Sequence, residues 1–494
     1  MISFLRKNYE FLFVVIYSLF HLYFFNLDPI NDEYIFYTGA EFIKTQKIEI
    51  IGLFFEFNAN TLGFSYLIYI LSYIFNINNF YFLGKFLASV SYIFLYFSLL
   101  NFLKIFKIKK RFEFILLILF CPIIFVYGFR ATPDLFSFSL SFFSSSLILI
   151  YRNLFIKLLA FVLLSIAFII KPINGIFLFF IFLYFIYYKK KSFLEFTNLI
   201  GLILFLVLVL IFFCFNYKNF SFFILSPNWK NLDISENNFF VNLIYYLGFL
   251  NLIIFPFKFE FILKKILSLK NFFIFMLVYF FINIFLFIYI DETLNEINFG
   301  FLSNNVSDYV MKFFFGFNAA ILIFYFMLFF LDKKVNNNFC IFLIYIISYL
   351  LILSNFSPVQ RYLMALFPII YYLSLCQNYS KVVYNSVLFI YLIFNTLILI
   401  NHMIISDLSK KTHEFLINNN ILNQTHPGYF GQHSLSKFTT FYDSNLNKID
   451  KKLIFSNSKK YIIVDKIINN KQIIFEYSSK ILFINKDIFV QKNN

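Results

Sequence analysis

No feature constrains this chain more than its alternation of apolar runs with short clusters of lysine and arginine. A bilayer core takes about 20 helical residues to cross, and Lys and Arg are retained on the cytoplasmic side of each span. Runs that meet or approach this length fall at 11–27, 82–103, 114–127, 135–150, 158–170, 175–188, 198–215, 241–257, 272–290, 313–331, 339–353, 363–375 and 383–401. Threading them in order puts Lys104, Lys107, Lys109, Lys110 and Arg111, then Arg152, Lys157, Lys189, Lys190, Lys191, Lys333, Lys334 and Lys381, on one side. It puts Asp233, Glu236, Asp291, Glu292, Glu296 and Asp308 on the other. With 61% hydrophobic and 13% charged residues, the composition lies outside that of soluble domains.

The expected fold is an all-α polytopic membrane domain over 1–403, with about thirteen transmembrane helices, followed by a small C-terminal α/β extracytoplasmic domain over 404–494. The expected location is the inner (cytoplasmic) membrane, multi-pass, with a cytoplasmic N-terminus. Arg6 and Lys7 before the first run resemble a signal sequence, but no small-residue cleavage site follows, so the run is read as an uncleaved span. Residues 28–81 form the first outer loop. Within it, 62–75 is apolar but short, and letting it cross would put the Lys104–Arg111 cluster outside, so an interfacial helix is expected there. In the tail, 452–455, 461–464, 472–477 and 481–484 read as strands, with Asn, Ser and Lys between them.

The formal charge of +16 is spread over inner loops and the tail, which is topology rather than a nucleic-acid face. Membrane lipids are the expected surroundings, and the tail lysines suit anionic headgroups. Cys121, Cys214, Cys340 and Cys376 have no paired spacing, and His413, His426 and His433 match no metal motif. Neither a disulfide framework nor a metal site is predicted from them.

Against this background, two adjacent carboxylates at a span end need a reason. Asp32 and Glu33 stand in Pro29-Ile30-Asn31-Asp32-Glu33-Tyr34. The plain explanation is a helix N-cap with an acidic first turn. Other ionisable residues expected near the same face are Lys85, Arg130, Asp134, Lys171 and Arg361. Each has its own plain explanation: Lys85 snorkels, Arg130 and Asp134 form an i,i+4 pair, Arg361 anchors a helix end. Lys171 is harder to dismiss, since it precedes Pro172 inside an apolar hairpin closed by Asn174-Gly175, where an unpaired ammonium is costly. Taken together, carboxylates and cations on one face suit deprotonation of a hydroxyl coupled to departure of an anionic leaving group.

An Asp-Glu pair in a long first outer loop, an amphipathic segment after it, a lysine opening the second span, an Arg-and-Asp loop, a lysine at the fifth-to-sixth turn and Arg361 ahead of Pro368 together resemble the GT-C class of polytopic glycosyltransferases. The likeness is to the bacterial branch containing the protein O-mannosyltransferase-like enzymes and the lipid A aminoarabinose transferase. It implies a polyprenyl-phosphate-linked sugar donor, a glycan, lipid or protein acceptor, inversion at the anomeric carbon, and no required cofactor, with a divalent metal possible in some relatives. Carried over by position, Asp32 and Glu33 become the catalytic carboxylates, with Asp32 the general base. Lys85, Arg130, Lys171 and Arg361 become phosphate-binding, and Tyr34, Asp134 and Asn174 supporting. The chain departs from the mannosyltransferase pattern by carrying Asn58-Ala59-Asn60-Thr61-Leu62-Gly63 where a His-Pro-Pro run stands. Two other classes fit a multi-span chain: a lipid or solute transporter, for which paired broken helices are missing, and an O-antigen polymerase or ligase, which favours a long loop between late spans.

Overall fold

The computed structural model describes residues 2–27, 29, 33–45, 63–107, 111–188, 195–220, 236–266, 269–289, 308–331, 337–354, 360–375, 380–426, 460–465, 467–468, 471–482 and 484–492. Helices dominate, because apolar runs with few internal Gly or Pro breaks satisfy their backbone groups within the segment. In chain order they are α1 (Ile2–Tyr23), α2 (Glu33–Thr45), α3 (Gly63–Phe75), α4 (Phe80–Phe106), α5 (Arg111–Leu119), α6 (Pro122–Gly128), α7 (Pro133–Ile150), α8 (Leu154–Ile170) and α9 (Ile176–Tyr188). Then come α10 (Phe196–Phe220), α11 (Glu236–Ile266), α12 (Leu269–Tyr289), α13 (Asp308–Leu331), α14 (Asn337–Leu353), α15 (Phe367–Leu375) and α16 (Lys381–Asn418). Four are long and apolar enough to cross a bilayer: Phe80–Phe106, Pro133–Ile150, Phe196–Cys214 and Lys381–Asn418. Shorter apolar helices include Leu154–Ile170 and Phe339–Leu353.

Local chemistry sets the ends. Asn79 caps α4 by accepting from the Phe82 N–H at 2.9 Å, Asn153 caps α8 through the Phe155 and Ile156 N–H groups, and Ser380 caps α16. Pro133 opens α7, where a missing N–H costs nothing. The single span expected over 114–127 is instead two helices. Pro122 cannot donate into a continuing ladder, so α5 stops at Leu119 and α6 restarts after Cys121. The hairpin hinge expected at 171–175 is present: Lys171 leaves helical geometry and Pro172–Gly175 form one 3-10 turn before α9.

The centre of the bundle is α7, with 83% of its apolar window buried, packed along α4 and α8. Ser137, Ser139, Ser141, Ser144, Ser145 and Ser146 are all buried there; several bond back one turn, as Ser145 Oγ does to the Ser141 carbonyl at 2.7 Å. Small side chains that satisfy themselves in this way let neighbouring helices approach closely. At the periphery the pattern reverses. Only 22% of the α10 window is buried, and Leu210, Ile211, Phe273, Phe280, Phe281 and Phe389 stand exposed.

The segment 62–75, expected as a short helix, is helical over Gly63–Phe75. It packs on α2 through Phe36 against Phe64, ring centroids 5.7 Å apart, and through Ser65 Oγ donating to the Phe36 carbonyl at 2.8 Å. A Cβ on Gly63 would meet the Ile169 carbonyl oxygen at 2.6 Å, so the absence of a side chain lets α3 start against the end of α8, two residues before Lys171.

The C-terminal sheet has strand order β1-β2-β4-β3, from β1 (Thr425–His426), β2 (Tyr461–Val464), β3 (Ile473–Ile481) and β4 (Ile484–Lys492). β1 and β2 are parallel; β2 with β4 and β3 with β4 are antiparallel. The expected strand 481–484 is the hairpin turn: Ile481 pairs with Ile484, and Leu482 adopts φ of 56°. The expected strand 452–455 lies outside the described residues. α16 runs unbroken through residue 403 to Asn418, and its later turns carry the sheet. Ile400, Ile404, Leu408 and Leu416 share one core with Ile463, Ile488 and Val490. Phe415 stacks on Phe475 at 4.4 Å, and Tyr477 donates to Asp407 at 2.9 Å.

Candidate functional site

The site is assembled around the turn between α6 and α7. Gly128 ends α6 against the Tyr92 hydroxyl, leaving no room for a Cβ, and Tyr92 also bonds His21 Nε2 at 3.0 Å and the Ile124 carbonyl at 3.1 Å. Gly84 does the same one helix over, where an added Cβ would lie 2.9 Å from Ala131 Cβ. The turn Phe129–Thr132 therefore lies directly on α4, beside Lys85.

Glu33 opens α2 and is fully buried. Its Oε1 accepts from the Ala131 N–H at 2.6 Å and lies 3.3 Å from Lys85 Nζ. Lys85 also donates to the Phe129 carbonyl and stands 5.0 Å from the Tyr81 ring centroid. Lys85 does not snorkel outward; it is 1% exposed and its charge is met by a buried carboxylate. Glu33 is more than an acidic first-turn residue, since it ties α2 to both α4 and the α6–α7 turn.

Asp134 is the second hub. The i,i+4 pair with Arg130 does not form, because α7 begins at Pro133 and Arg130 lies before it. Asp134 instead binds Lys171 and lies 3.4 Å from Arg361 Nε, so two cations share its Oδ1. Both flank Tyr362, Lys171 at 4.7 Å and Arg361 at 5.7 Å from the ring centroid. Arg361 opens the site outward with its side chain 24% exposed, whereas Lys171 and Asp134 are buried. Arg130 is buried in the α6–α7 turn with its guanidinium 5.4 Å from the Tyr127 centroid. Like charges held this close repel, and in a low-dielectric setting only interposed carboxylates make the cluster tolerable.

The structure thus brings together Glu33, Lys85, Arg130, Asp134, Lys171 and Arg361. Asn174 sits in the 3-10 turn just after Lys171, buried, its backbone N–H on the Lys171 carbonyl at 3.0 Å. Thr132 Oγ1 and Asn174 Nδ2, buried beside the cluster, have no hydrogen-bond partner among the described residues. Tyr34 is the second residue of α2. Asp32, the carboxylate on which most of the sequence reading rests, lies outside the described residues, as do Glu49, Glu56 and 58–62. Its neighbour Glu33 starts α2 at the cluster. Among the described residues no group of three or more His, Cys, Asp or Glu is arranged to hold a metal.

One residue beside the site was missed in the sequence. His402, on α16, is buried and meets the Phe129 ring edge-on at 5.0 Å, close enough to Lys85 and Arg130 to feel their charge. A histidine just beyond an expected span was the available signal. No protein-family model, curated protein or solved structure matches the chain.

Proposed function

We propose that the chain is a multi-pass glycosyltransferase of the inner membrane that moves a sugar from a polyprenyl-phosphate donor to an acceptor hydroxyl on the extracytoplasmic side, with inversion. The observation that carries this reading is the sharing of Asp134 by Lys171 and Arg361, in the turn that also holds Arg130, beside the first residue of α2. Cations recruited from the α6–α7 turn, the α8–α9 hinge and the segment before α15 form a cradle for a phosphate ester, and Asp134 holds two of them against their mutual repulsion. Arg361, the most exposed of these, receives the incoming ester.

In the proposed reaction Asp32 accepts the proton of the acceptor hydroxyl as its oxygen bonds to the anomeric carbon. The bond from that carbon to the phosphate oxygen breaks, and its electron pair leaves with the lipid phosphate, whose charge the cations stabilise. Glu33 and Lys85 act by fixing the start of α2 on α4. Tyr34 and Asn174 support the two sides. No cofactor is required, and no step is assigned to a metal. The apolar outer surface of α10 and α12 is read as lipid-facing, with about thirteen spans and the C-terminal α/β domain on the extracytoplasmic side.

The test uses the full-length protein in lipid nanodiscs, with a panel of polyprenyl-phosphate sugars and the released polyprenyl phosphate measured. Asp32→Asn is expected to abolish release while donor binding stays within about twofold. Normal turnover by Asp32→Asn, or movement of the intact donor across vesicles without a covalent product, overturns the proposal.

A further inference from the structure

His402 is an anomaly within its own helix. It is 4% exposed, sits in the apolar stretch of α16, and its Nε2 has no hydrogen-bond partner among the described residues. A buried ring nitrogen left without a partner carries the full desolvation cost of that atom. Apolar side chains of similar size avoid that cost, so a histidine here needs a reason that the resting fold does not supply.

Its surroundings suggest one. The imidazole lies edge-on to Phe129, and the Phe129 carbonyl is the acceptor for Lys85. The turn continues through Arg130 and Ala131 to Thr132, whose buried hydroxyl is also without a partner among the described residues. The orphaned nitrogen therefore stands at the same turn as the cation cradle, on an element that shares none of the cradle's other residues. An imidazole N–H is a directional donor that needs no charge of its own to meet an acceptor. A neutral donor of this kind complements a phosphate by direction rather than by charge.

We infer that His402 is a positioning residue of this site, its Nε2–H donating to a phosphoryl oxygen of the bound ester. The inference rests on the phosphate-ester reading above and adds a contact from the last long helix. It also gives α16 a second task. The same helix that carries the C-terminal sheet on Ile400, Ile404 and Leu408 reaches the ester from His402, between the first two of these, so the sheet's seat and the ligand contact share one rigid stem.

Three variants of the full-length protein in nanodiscs decide it, with radiolabelled undecaprenyl monophosphate and inorganic phosphate as probes and thermal melting as the fold control. His402→Phe removes the donor and keeps an apolar ring. It is expected to melt at or above the wild-type temperature and to bind undecaprenyl phosphate about 3- to 10-fold more weakly, the range of one neutral hydrogen bond. His402→Gln, whose amide N–H reaches a similar position, is expected to bind within about twofold of wild type. His402→Ala is expected to bind like His402→Phe while melting lower. If inorganic phosphate competes with the same dependence on residue 402, the ester need not be lipid-linked; if only the lipid does, the source is the lipid headgroup. Wild-type affinity in His402→Phe, or equal losses in His402→Phe and His402→Gln, overturns the inference and leaves the glycosyltransferase reading standing. A wild-type protein that binds neither probe removes both.

Discussion

The buried pair Glu33 and Lys85 is the most exacting place to perturb the proposed architecture. Both side chains are fully buried, and removing one partner of such a pair strands the other charge at a cost of about 3–5 kcal/mol. Glu33→Gln keeps an oxygen for the Ala131 N–H but leaves Lys85 with only the Phe129 carbonyl and nearby rings. Lys85→Met keeps the volume but takes away the ammonium that lies against the buried Glu33 carboxylate. In the double variant neither charge remains, and the losses reduce to weakened hydrogen bonds of about 1 kcal/mol each. The coupling energy is therefore expected to be about 3 kcal/mol or more. Melting followed with a thiol-reactive dye suits the measurement in a background with Cys214, Cys340 and Cys376 replaced by serine, because Cys214 is exposed whereas Cys121 is buried in the helical core and becomes reactive when the bundle opens. Each single variant is expected to melt several degrees below wild type, and the double variant no lower than either single. Effects that add to within about 0.5 kcal/mol would refute the reasoning, since independent sites add in that way.

Asp134→Ala leaves Lys171 and Arg361 facing each other without their shared carboxylate, so a loss of about 3–5 kcal/mol in stability is expected, with tighter phosphate binding in any fraction that folds; melting and phosphate-ester titration check both. Tyr477→Phe removes the hydrogen bond from β3 to Asp407 on α16 and is expected to cost about 1 kcal/mol, read as faster amide exchange in β3 with the helical core unchanged. The Tyr477 phenol is held above its ordinary value by burial first and by the Asp407 hydrogen bond second. A group with a raised folded value contributes fully below its unfolded value of about 10 and loses that contribution as pH rises through the folded one. Attachment of the sheet is thus expected to weaken only in strongly alkaline solution, and weakening between pH 6 and 8 would contradict the assignment.

Much of the helical plan was readable because periodic apolar runs and their caps are local. The Lys171-Pro172-Ile173-Asn174-Gly175 hinge was visible for the same reason, as was the helix over 63–75, whose shortness and flanking charges exclude a crossing. What escaped was non-local. Arg130 and Asp134 have i,i+4 spacing, yet Pro133 starts a helix between them, and Asp134 turns to partners 37 residues on at Lys171 and far beyond at Arg361. Lys85 looked like an interfacial lysine because nothing nearby in sequence reveals that Glu33 comes back to meet it. The break at Pro122 was misread because hydropathy counts proline as compatible with a span, while the hydrogen-bond ladder does not. The hairpin at Leu482 was hidden by an apolar turn residue with positive φ, a position where Gly or Asn would have announced the turn. His402 escaped because a lone histidine inside an apolar run is most often a packed core residue, and only its orphaned nitrogen distinguishes it.

The central claim is that Asp32, the residue before α2 in the chain, serves as the base of a sugar transfer whose phosphate leaving group the cations receive. The most direct test is the mass profile of envelope glycans and lipid A from cells that carry the wild-type chain, no chain, or Asp32→Asn at equal abundance. Expected is one sugar mass present with the wild type and missing from both other profiles. Identical profiles in all three, or full restoration of that mass by Asp32→Asn, would contradict the claim.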